Sequence, residues 1–429
     1  MTPRRKRKRH VLRWISAAVV VIVAGALVAA YVKYKSIDDA IHRVPVTGLG
    51  KRPPAYGNSS MNILLFGSDS RSGLDHHQQV ALHTGNTTNS SGAGNTDTIM
   101  VVHISPGRHH VTVLSIPRDT MVPAYQCASG PGYPGQAANP GTTERINALL
   151  SVGGPSCLWK TVEQQTGIRI SHFLEIGLAG FASVINDLGG VNVCVPFNVN
   201  DPVSGLTLKA GEHHIGGTTA LAFWRTREDI GMGSDLQRIT RDQYMSAQVV
   251  KGILSGGLLS NPVKLLRVLT DVAPYLTTDN GMSLMDLVHI GESLRGISGK
   301  DVQFVTAPNE PDPADPAAVR FAQPQASQLF SAIARDASPG QSPGGPTTAS
   351  PSANPSTTSP DTTSPATASP ATTSPAGAGS LAASPQPSSP SPSASGTRGV
   401  HSQAAADGGI SASASCRSDS SAFRGPLSP

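Results

Sequence analysis

The stretch DTIMVVHISPGRHHVTVLSIPRDT, residues 97–120, decides the fold of the central part of this chain. Two runs rich in β-branched residues, DTIMVVHI and HVTVLSI, flank the turn-forming segment SPGRH, and this pattern predicts a β-hairpin. A third run of the same kind, MNILLF at 61–66, precedes them. We expect the three strands to lie side by side in one sheet.

Helical periodicity follows these strands and is interrupted by further predicted strands. The additional strands are VNVCVP at 191–196 and DVQFVTA at 301–307. The predicted helices are ERINALLSV at 144–152, SCLWKTVEQQTG at 156–167, FASVINDLGG at 181–190, TTALAFWRTR at 218–227, SDLQRITRDQYMSAQVVKGIL at 234–254, NPVKLLRVL at 261–269, SLMDLVHIGESL at 283–294 and QASQLFSAIARD at 325–336. Strands and helices that alternate in this way indicate a layered α/β domain.

The N-terminal region combines a basic segment with an apolar stretch of 19 residues, Trp14 to Val32. A helix needs about 20 apolar residues to cross the hydrocarbon core of a bilayer. Seven basic residues precede the stretch, which places the N-terminus in the cytoplasm and the rest of the chain outside. A cleaved signal peptide is the alternative, but its apolar region is normally only about 7 to 15 residues long.

Charge and composition divide the 429 residues further. Residues 1–35 carry nine basic and no acidic residues, so subtracting them from the net charge of +5 leaves −4 for the remainder. An exported part with a negative charge argues against nucleic-acid binding. We divide the chain into a cytoplasmic basic segment (1–13), a transmembrane helix (14–34), a membrane-proximal connector (35–58), an extracellular folded domain (59–336) and a disordered Pro/Ser/Thr-rich tail (337–429).

The four cysteines fit an exported protein with one or two disulfides. Cys127 and Cys157 flank a Gly/Pro-rich excursion and are the preferred pair. The sequence contains no CxxC or Cys/His spacing, which argues against a zinc site.

Charged residues follow or precede the predicted strands of the hairpin region. Asp69 and Arg71 come directly after MNILLF, Asp97 enters the second strand, and Arg118 and Asp119 leave the third. Antiparallel pairing would bring these residues to one edge of the sheet. Carboxylates and guanidiniums together suit a magnesium ion and a phosphate ester, whereas turns and surface ion pairs are the alternative interpretation.

A second concentration of arginines occupies residues 220–248. Its candidate anion-binding residues are Arg225, Arg227, Arg238, Arg241 and Gln243. Arg238 and Arg241 are three residues apart and share a helix face. A solvated face of an amphipathic helix is the alternative, and the crowding of arginines in a net acidic domain favours anion binding.

Several motifs together resemble the LytR-CpsA-Psr family of cell-wall glycopolymer ligases, of actinobacterial type. The matching segments cover most of residues 61–255 in family order and are NILLFGSDSR, NTDTIMVVHISP, VLSIPRDT, RINALLSVGG, VINDLGGVNVCVP and ALAFWRTREDIGMGSDLQRITRDQ. The resemblance implies a three-layer α/β/α domain with a mixed central sheet, a magnesium site, an arginine-lined pyrophosphate pocket and an apolar groove for a polyprenyl chain.

Carried over by position, the resemblance assigns metal binding to Asp69 and Asp97, with Mg²⁺ as the cofactor and Mn²⁺ as a substitute. It assigns phosphate binding to Arg71, Arg118, Arg227 and Arg238, with Arg225 and Arg241 as further members. One departure concerns the family's Arg-Gln-Gln, which reads Arg241-Asp242-Gln243 in this chain. Either Gln243 replaces the glutamine that contacts phosphate, or this member handles its donor differently.

The reaction implied by the resemblance is phosphoryl transfer. A peptidoglycan sugar hydroxyl attacks the glycopolymer-side phosphorus of a polyprenyl-pyrophosphate-linked glycopolymer at the membrane, and Arg71, Arg118 and Asp119 are the candidate catalytic residues. Catalysis of this kind depends mainly on positioning and electrostatics. Two alternatives stay open, namely hydrolysis of the same donor without a sugar acceptor, and a non-catalytic wall-binding or regulatory protein.

Overall fold

The computed structural model describes residues 4–56, 60–68, 76–81, 95–129, 133, 135, 141–195, 198–226, 235–255, 257–337 and 410–411; for residues 4–13, 78, 235–243 and 410–411 it describes the backbone alone. The helices are α1 (Arg4–Ala40), α2 (His76–Ala81), α3 (Leu149–Thr166), α4 (Leu178–Asp187), α5 (Gly217–Arg225), α6 (Asp235–Ser255), α7 (Pro262–Val272), α8 (Leu284–Ser293) and α9 (Gln325–Ala334). The strands are β1 (His42–Val44), β2 (Met61–Ser68), β3 (Thr96–Ile104), β4 (Val111–Ile116), β5 (Met121–Pro123), β6 (Thr143–Arg145), β7 (His172–Gly177), β8 (Val191–Val195), β9 (Val199–Asp201), β10 (Leu206–Leu208), β11 (Gly211–Ile215), β12 (Leu276–Asp279), β13 (Val302–Thr306), β14 (Asn309–Pro311), β15 (Val319–Phe321) and β16 (Ile410–Ser411).

An eight-stranded mixed sheet with the order β1-β12-β7-β2-β3-β4-β13-β16 forms the centre of the domain. β3 is antiparallel to both β2 and β4, so the predicted hairpin and the placement of MNILLF beside it are confirmed. β7 is parallel to β2, and β13 is parallel to β4. The predicted mixed sheet is therefore confirmed.

Alternate residues of the central strands supply two separate cores, as the period of two in a strand requires. Leu64 and Phe66 of β2 face one core, which contains residues of α3 and α9. Ile63 of β2 and Met100 of β3 face the other, which contains Ala247 of α6. Helices cover both faces, and this is the predicted α/β/α arrangement.

Helix α1 continues past the predicted membrane-spanning residues and ends inside the domain. It is the one helix in the described part of the chain long and apolar enough to cross a membrane. Ile37 of α1 and Ile41, which directly follows the helix, are buried with residues of α7 and α8, and the Asp38 carboxylate accepts a hydrogen bond from the backbone N–H of Leu284. The helix therefore enters the domain without a flexible linker at this point.

The segment ERINALLSV differs from its prediction, because only its second half is helical. Thr143–Arg145 forms β6, which pairs with β5, and a 3-10 turn at Ile146–Ala148 leads into α3. The backbone N–H of Ile146 is bonded to the carbonyl oxygen of Thr120, so a tertiary contact overrides helical periodicity here. As a result, Arg145 lies on a strand.

Cys127 and Cys157 form a disulfide across 30 residues, with both cysteines buried. Gly153 lies against this bridge, since a Cβ built there would come within 2.6 Å of the Cys127 Cβ. Cys194 is also disulfide-bonded, and Cys416 lies outside the described residues.

Candidate active site

Four strand ends meet at one edge of the central sheet. Ser68, the last residue of β2, is opposite Thr96 at the start of β3 and opposite Gly177 at the end of β7. Ile116 at the end of β4 pairs with Ile99 of β3. Residues that follow or precede these strands are consequently gathered at one place, which is a usual location for functional groups in α/β domains.

The guanidinium of Arg118 joins two carboxylates at this edge. Its Nη1 donates to Asp97 Oδ1 at 2.5 Å, and its Nε donates to Asp119 Oδ2 at 3.0 Å. The side chains of Arg118 and Asp97 keep 20% and 23% of their surface exposed. The pair is held in a fixed geometry and is still within reach of a ligand from solvent.

Asp119 connects Arg118 to a second arginine. Its side chain is almost fully buried, and its Oδ1 accepts a hydrogen bond from Arg145 Nη1 at 2.9 Å. Both carboxylate oxygens are therefore bonded to guanidinium groups, which offsets the cost of burying a charge. The catalytic role of Asp119 stays a prediction, and its hydrogen bonds suit a residue that positions two arginines.

Backbone hydrogen bonds fix the segment that carries these side chains. The N–H of Thr120 donates to the carbonyl oxygen of Pro117, and its hydroxyl donates to the same oxygen. The carbonyl oxygen of Arg118 accepts from the N–H of Asn147, and that of Asp119 accepts from the N–H of Val319. The arginine and the aspartate thus project from a turn that is anchored on both sides.

Glu175 brings a further carboxyl group to the sheet edge. It lies on β7 opposite Phe66, its side chain is hydrogen-bonded to Ser68, and burial raises its pKa above the ordinary value. Tyr133 is close by, and its pKa is raised by burial and then by the negative charge of Glu175. A buried carboxyl group with a raised pKa is often found at functional sites.

The other predicted site residues are described to different extents. Arg225 is the last residue of α5 and is half-buried. The backbones of Arg238, Arg241 and Gln243 lie in α6, and their side chains are outside the described part. Asp69, Arg71 and Arg227 lie outside the described residues.

Arg145 and Glu175 were missed by the sequence prediction. Arg145 belongs to the segment RINALLSVGG, but the predicted helix gave no reason to place it beside Arg118. Glu175 lies in a strand that was not predicted, and a single acidic residue in an apolar run carries no specific signal. The pairing of β6 with β5 and of β7 with β2 brings both residues to the site.

Comparison with known proteins identifies related chains. The model of the LytR_cpsA_psr family matches residues 28–334. A probable cell wall biosynthesis protein LcpB of Corynebacterium glutamicum is 34% identical over 275 residues, which are 64% of this chain and 61% of that protein. Cell wall biosynthesis protein LcpA of the same species is 32% identical, over 61% of this chain and 52% of its own length. The chain thus spans about three fifths and about half of these relatives.

A more distant relative has a more specific name. The polyisoprenyl-teichoic acid–peptidoglycan teichoic acid transferase TagU of Bacillus mycoides is 26% identical over 63% of this chain and 81% of its own length. Among solved structures, a LytR-Csp2A-Psr enzyme from Actinomyces oris superposes with a TM-score of 0.50 at 25% identity, over 68% of this chain and 96% of that one. The fold is therefore shared with a solved enzyme of this group.

Proposed function

The chain belongs to the LytR-CpsA-Psr family, and on that premise we propose that it is a phosphotransferase that moves a glycopolymer from a polyprenyl-pyrophosphate carrier to a peptidoglycan sugar hydroxyl. The observation that carries the proposal is the pair of guanidiniums, Arg118 and Arg145, held by the buried Asp119 at the sheet edge. Guanidinium groups bind phosphate oxygens with two parallel hydrogen bonds. The relatives named for transfer of teichoic acid to peptidoglycan support the reaction class.

In the proposed reaction, the acceptor hydroxyl oxygen forms a bond to the glycopolymer-side phosphorus. The bond from that phosphorus to the bridging oxygen breaks, the polyprenyl monophosphate leaves, and the hydroxyl proton is lost to solvent or a carboxylate. Arg118 stabilises the negative charge that develops on the transferred group, and Asp119 keeps its guanidinium in place. Arg71, Arg225, Arg227, Arg238, Arg241 and Gln243 complete the phosphate pocket in this proposal.

Magnesium is part of the proposal because the carboxylate of Asp97 suits it. Mg²⁺ prefers one or two carboxylate oxygens, with waters and substrate phosphate completing the octahedron. Asp97 is partly exposed and lies beside the phosphate-binding Arg118. Asp97 and Asp69 would hold the ion, which would supply neutralisation of phosphate charge, and Mn²⁺ would serve in its place.

The membrane position of the donor agrees with the way α1 joins the domain. Ile37 is buried in the domain only five residues after the apolar stretch ends at Val32, a rise of about 8 Å along a helix. The catalytic domain is thereby held at the membrane surface, where a polyprenyl carrier resides. We propose a cytoplasmic N-terminus and an extracellular domain, and the Cys127–Cys157 disulfide fits an oxidising compartment.

The proposal is tested with the full-length chain in detergent micelles, a prenyl-pyrophosphate-linked disaccharide as donor, and uncrosslinked peptidoglycan fragments as acceptor. We expect disaccharide–peptidoglycan phosphodiester and prenyl monophosphate in equal amounts, dependent on added Mg²⁺ or Mn²⁺, by mass spectrometry. Release of prenyl monophosphate at the same rate without acceptor would identify a hydrolase instead. Absence of turnover in the presence of both substrates and metal would favour a non-catalytic protein.

A further inference from the structure

The end of α1 is held by α8 close to the point where the apolar stretch at 14–32 ends. Asp38 lies six residues after Val32, a rise of about 9 Å along a helix. Its carboxylate accepts a hydrogen bond at 2.9 Å from the backbone N–H of Leu284, the first residue of α8. The headgroup layer of a bilayer is roughly 5 to 8 Å thick on each side. If α1 crosses a membrane, the start of α8 therefore lies at the outer boundary of the headgroups.

Helices α7 and α8 also expose large apolar side chains. Val263 and Leu266 of α7 keep 78% and 40% of their surface exposed, and Met285 of α8 keeps 45%. Scattered exposed apolar residues need no explanation, whereas a concentration of them marks an interaction surface. Outside α1, the described part of the chain exposes only three other large apolar side chains, those of Tyr56, Val80 and Val203. Half of the exposed apolar residues of the domain thus lie on the two helices that pack against the end of α1.

The local structure of α7 explains why two of these side chains are exposed. Asn261 caps the helix and its side chain accepts a hydrogen bond from the N–H of Val263, which fixes Val263 in the first turn. Leu265 is buried in the same core as Ile37 of α1. At 3.6 residues per turn, Val263 lies almost opposite Leu265 and shares a face with Leu266. One face of α7 therefore packs in the core that receives α1, and the opposite face is apolar and exposed.

The close packing of α8 on α7 joins the exposed residues to the end of α1. A Cβ built at Gly291 of α8 would come within 3.2 Å of Leu265 Cδ2 in α7, so glycine permits this approach. Met285 directly follows Leu284, whose N–H is bonded to Asp38. The exposed side chains of α7 and α8 consequently keep a fixed position relative to the helix that we place in the membrane.

Basic residues accompany the exposed apolar residues of α7. Lys264 and Arg267 lie on either side of the pair Leu265-Leu266, and residues 262–270 contain no acidic residue. The one acidic residue of the helix, Asp271, is next to its last residue. Long basic side chains beside an apolar face can contact lipid phosphates while their apolar neighbours enter the membrane boundary. This combination, next to a membrane-spanning helix, favours a lipid surface as the partner.

We propose that Val263, Leu266 and Met285 form a second membrane contact, in which they enter the boundary between the headgroups and the acyl chains of the bilayer that α1 crosses. This contact would fix the orientation of the domain on the membrane, which a single spanning helix leaves free to tilt. The inference rests on the part of the proposed function that places α1 across the membrane. It is independent of the phosphotransfer reaction.

The test uses the full-length chain in vesicles of phosphatidylcholine and phosphatidylglycerol, with a nitrobenzoxadiazole label on one introduced cysteine. The substitutions are Val263→Cys, Leu266→Cys and Met285→Cys. None of the described cysteines is free, and the unsubstituted chain treated with the label gives the background. We expect each label to lose emission to nitroxide-bearing lipids. The loss should be largest for nitroxides on the upper acyl chain, because interfacial helices bury their apolar face about 5 to 10 Å deep.

Two further labelled positions are the controls. Val23→Cys lies in the middle of the apolar stretch of α1, and its label should be quenched chiefly by nitroxides near the ends of the acyl chains. Gln328→Cys is exposed and helical like Val263→Cys, but α9 covers the other face of the central sheet from α8. Its label should keep its emission. Thermal unfolding should be alike for the three patch variants and Gln328→Cys, since each substituted side chain is exposed.

The controls separate failure of this inference from failure of the proposed function. Quenching at Val23→Cys without quenching at the three patch positions overturns the inference and leaves the membrane position of the domain standing. Quenching at Gln328→Cys as strong as at Val263→Cys also overturns it, because the contact is then not particular to α7 and α8. Absence of quenching at Val23→Cys shows that α1 does not cross the bilayer, and it overturns the inference together with the proposed anchoring.

Discussion

Asp97 Oδ1 and Arg118 Nη1 lie 2.5 Å apart although 21 residues separate them along the chain. The antiparallel pairing of β3 with β4 produces this contact, because the start of β3 and the end of β4 meet at the same edge. The carboxylate that we propose for the metal and the guanidinium that we propose for the phosphate are thereby placed side by side. In such a pair, the carboxylate can contact the metal ion of a metal–phosphate complex while the guanidinium contacts the phosphate.

Replacement of Arg118 tests the proposed electrostatic role. We expect Arg118→Ala to lower the rate of glycopolymer transfer by about 100- to 1,000-fold, the loss found when one preorganised donor is removed from an active site. Arg118→Lys should also be impaired, since lysine lacks the planar guanidinium group that donates hydrogen bonds to Asp97 and Asp119 at the same time. The measurement is the rate of prenyl monophosphate release under single-turnover conditions.

Arg295→Ala is the control for this experiment. Arg295 is also an arginine in an ion pair, but it is exposed and pairs with Glu292 three residues away. It should transfer at the wild-type rate. Wild-type activity in Arg118→Ala would contradict the assigned role.

Asp119 should matter for stability as well as for activity. Asp119→Ala leaves two guanidiniums without their shared buried partner, and loss of one member of a buried ion pair typically costs about 3 to 5 kcal/mol. The free energy of unfolding is measured by urea denaturation. Glu310→Gln, which removes an exposed pair with Arg320, should change it by less than about 1 kcal/mol. Equal effects of the two substitutions would show that Asp119 does not hold the arginines.

Glu175 predicts a pH dependence of stability. Burial raises its pKa above 4.5 in the folded state, so the folded protein binds more protons than the unfolded chain above that pH. The free energy of unfolding should therefore fall as pH rises from about 4.5 to the folded-state pKa, and stay level beyond it. The free energy of unfolding of Glu175→Gln should not show this slope. The difference in stability between the variant and the wild type should therefore shift in favour of the variant as pH rises to the folded-state pKa of Glu175.

Urea denaturation at several pH values between 4.5 and 8 measures this slope for both proteins. The hydrogen bond with Ser68 can form in the variant too, so the comparison isolates the charge. Asp301→Asn is a useful control because the pKa of that carboxyl is lowered, chiefly by its hydrogen bond from Ser298. Parallel stability curves for the wild type and Glu175→Gln would rule out a raised pKa.

The Cys127–Cys157 disulfide should stabilise the domain substantially. A bridge that closes a loop of 30 residues restricts the unfolded chain by about 3 to 4 kcal/mol on the loop-closure account. The double variant Cys127→Ala/Cys157→Ala should lose about that much in urea denaturation. Unchanged stability would mean that native contacts already hold the excursion against α3. The other disulfide, at Cys194, stays intact in this comparison.

The prediction of the fold succeeded where local patterns were long and periodic. The strands of the hairpin and most helices followed from alternation and from helical spacing. The short strands β5, β6, β9 and β10 did not, because three residues carry too little pattern to be recognised. β6 is the instructive case, since the helical periodicity of ERINALLSV extends into a strand that only its pairing with β5 defines.

The site residues, too, could be predicted only where a local sequence pattern determines their position. Asp97, Arg118 and Asp119 could be grouped from the sequence, because Asp97 lies at the start of one strand and the other two follow the second strand of a hairpin whose pairing was predictable. Arg145 could not be grouped with them, since its position depends on a bond between the Ile146 N–H and the Thr120 carbonyl. Asp315 lies 170 residues from its partner Arg145, and nothing in the local sequence links the two.

The sequence by itself determined the apolar N-terminal helix, the layered α/β class and the edge of the sheet where charges gather, because each depends on composition or on periodicity over neighbouring residues. Only the tertiary structure decided that Asp119 is shared by Arg118 and Arg145 and that Asp315 occupies the other side of Arg145. Those contacts join segments far apart in the chain. Their formation depends on the packing of the whole domain, which local patterns do not encode.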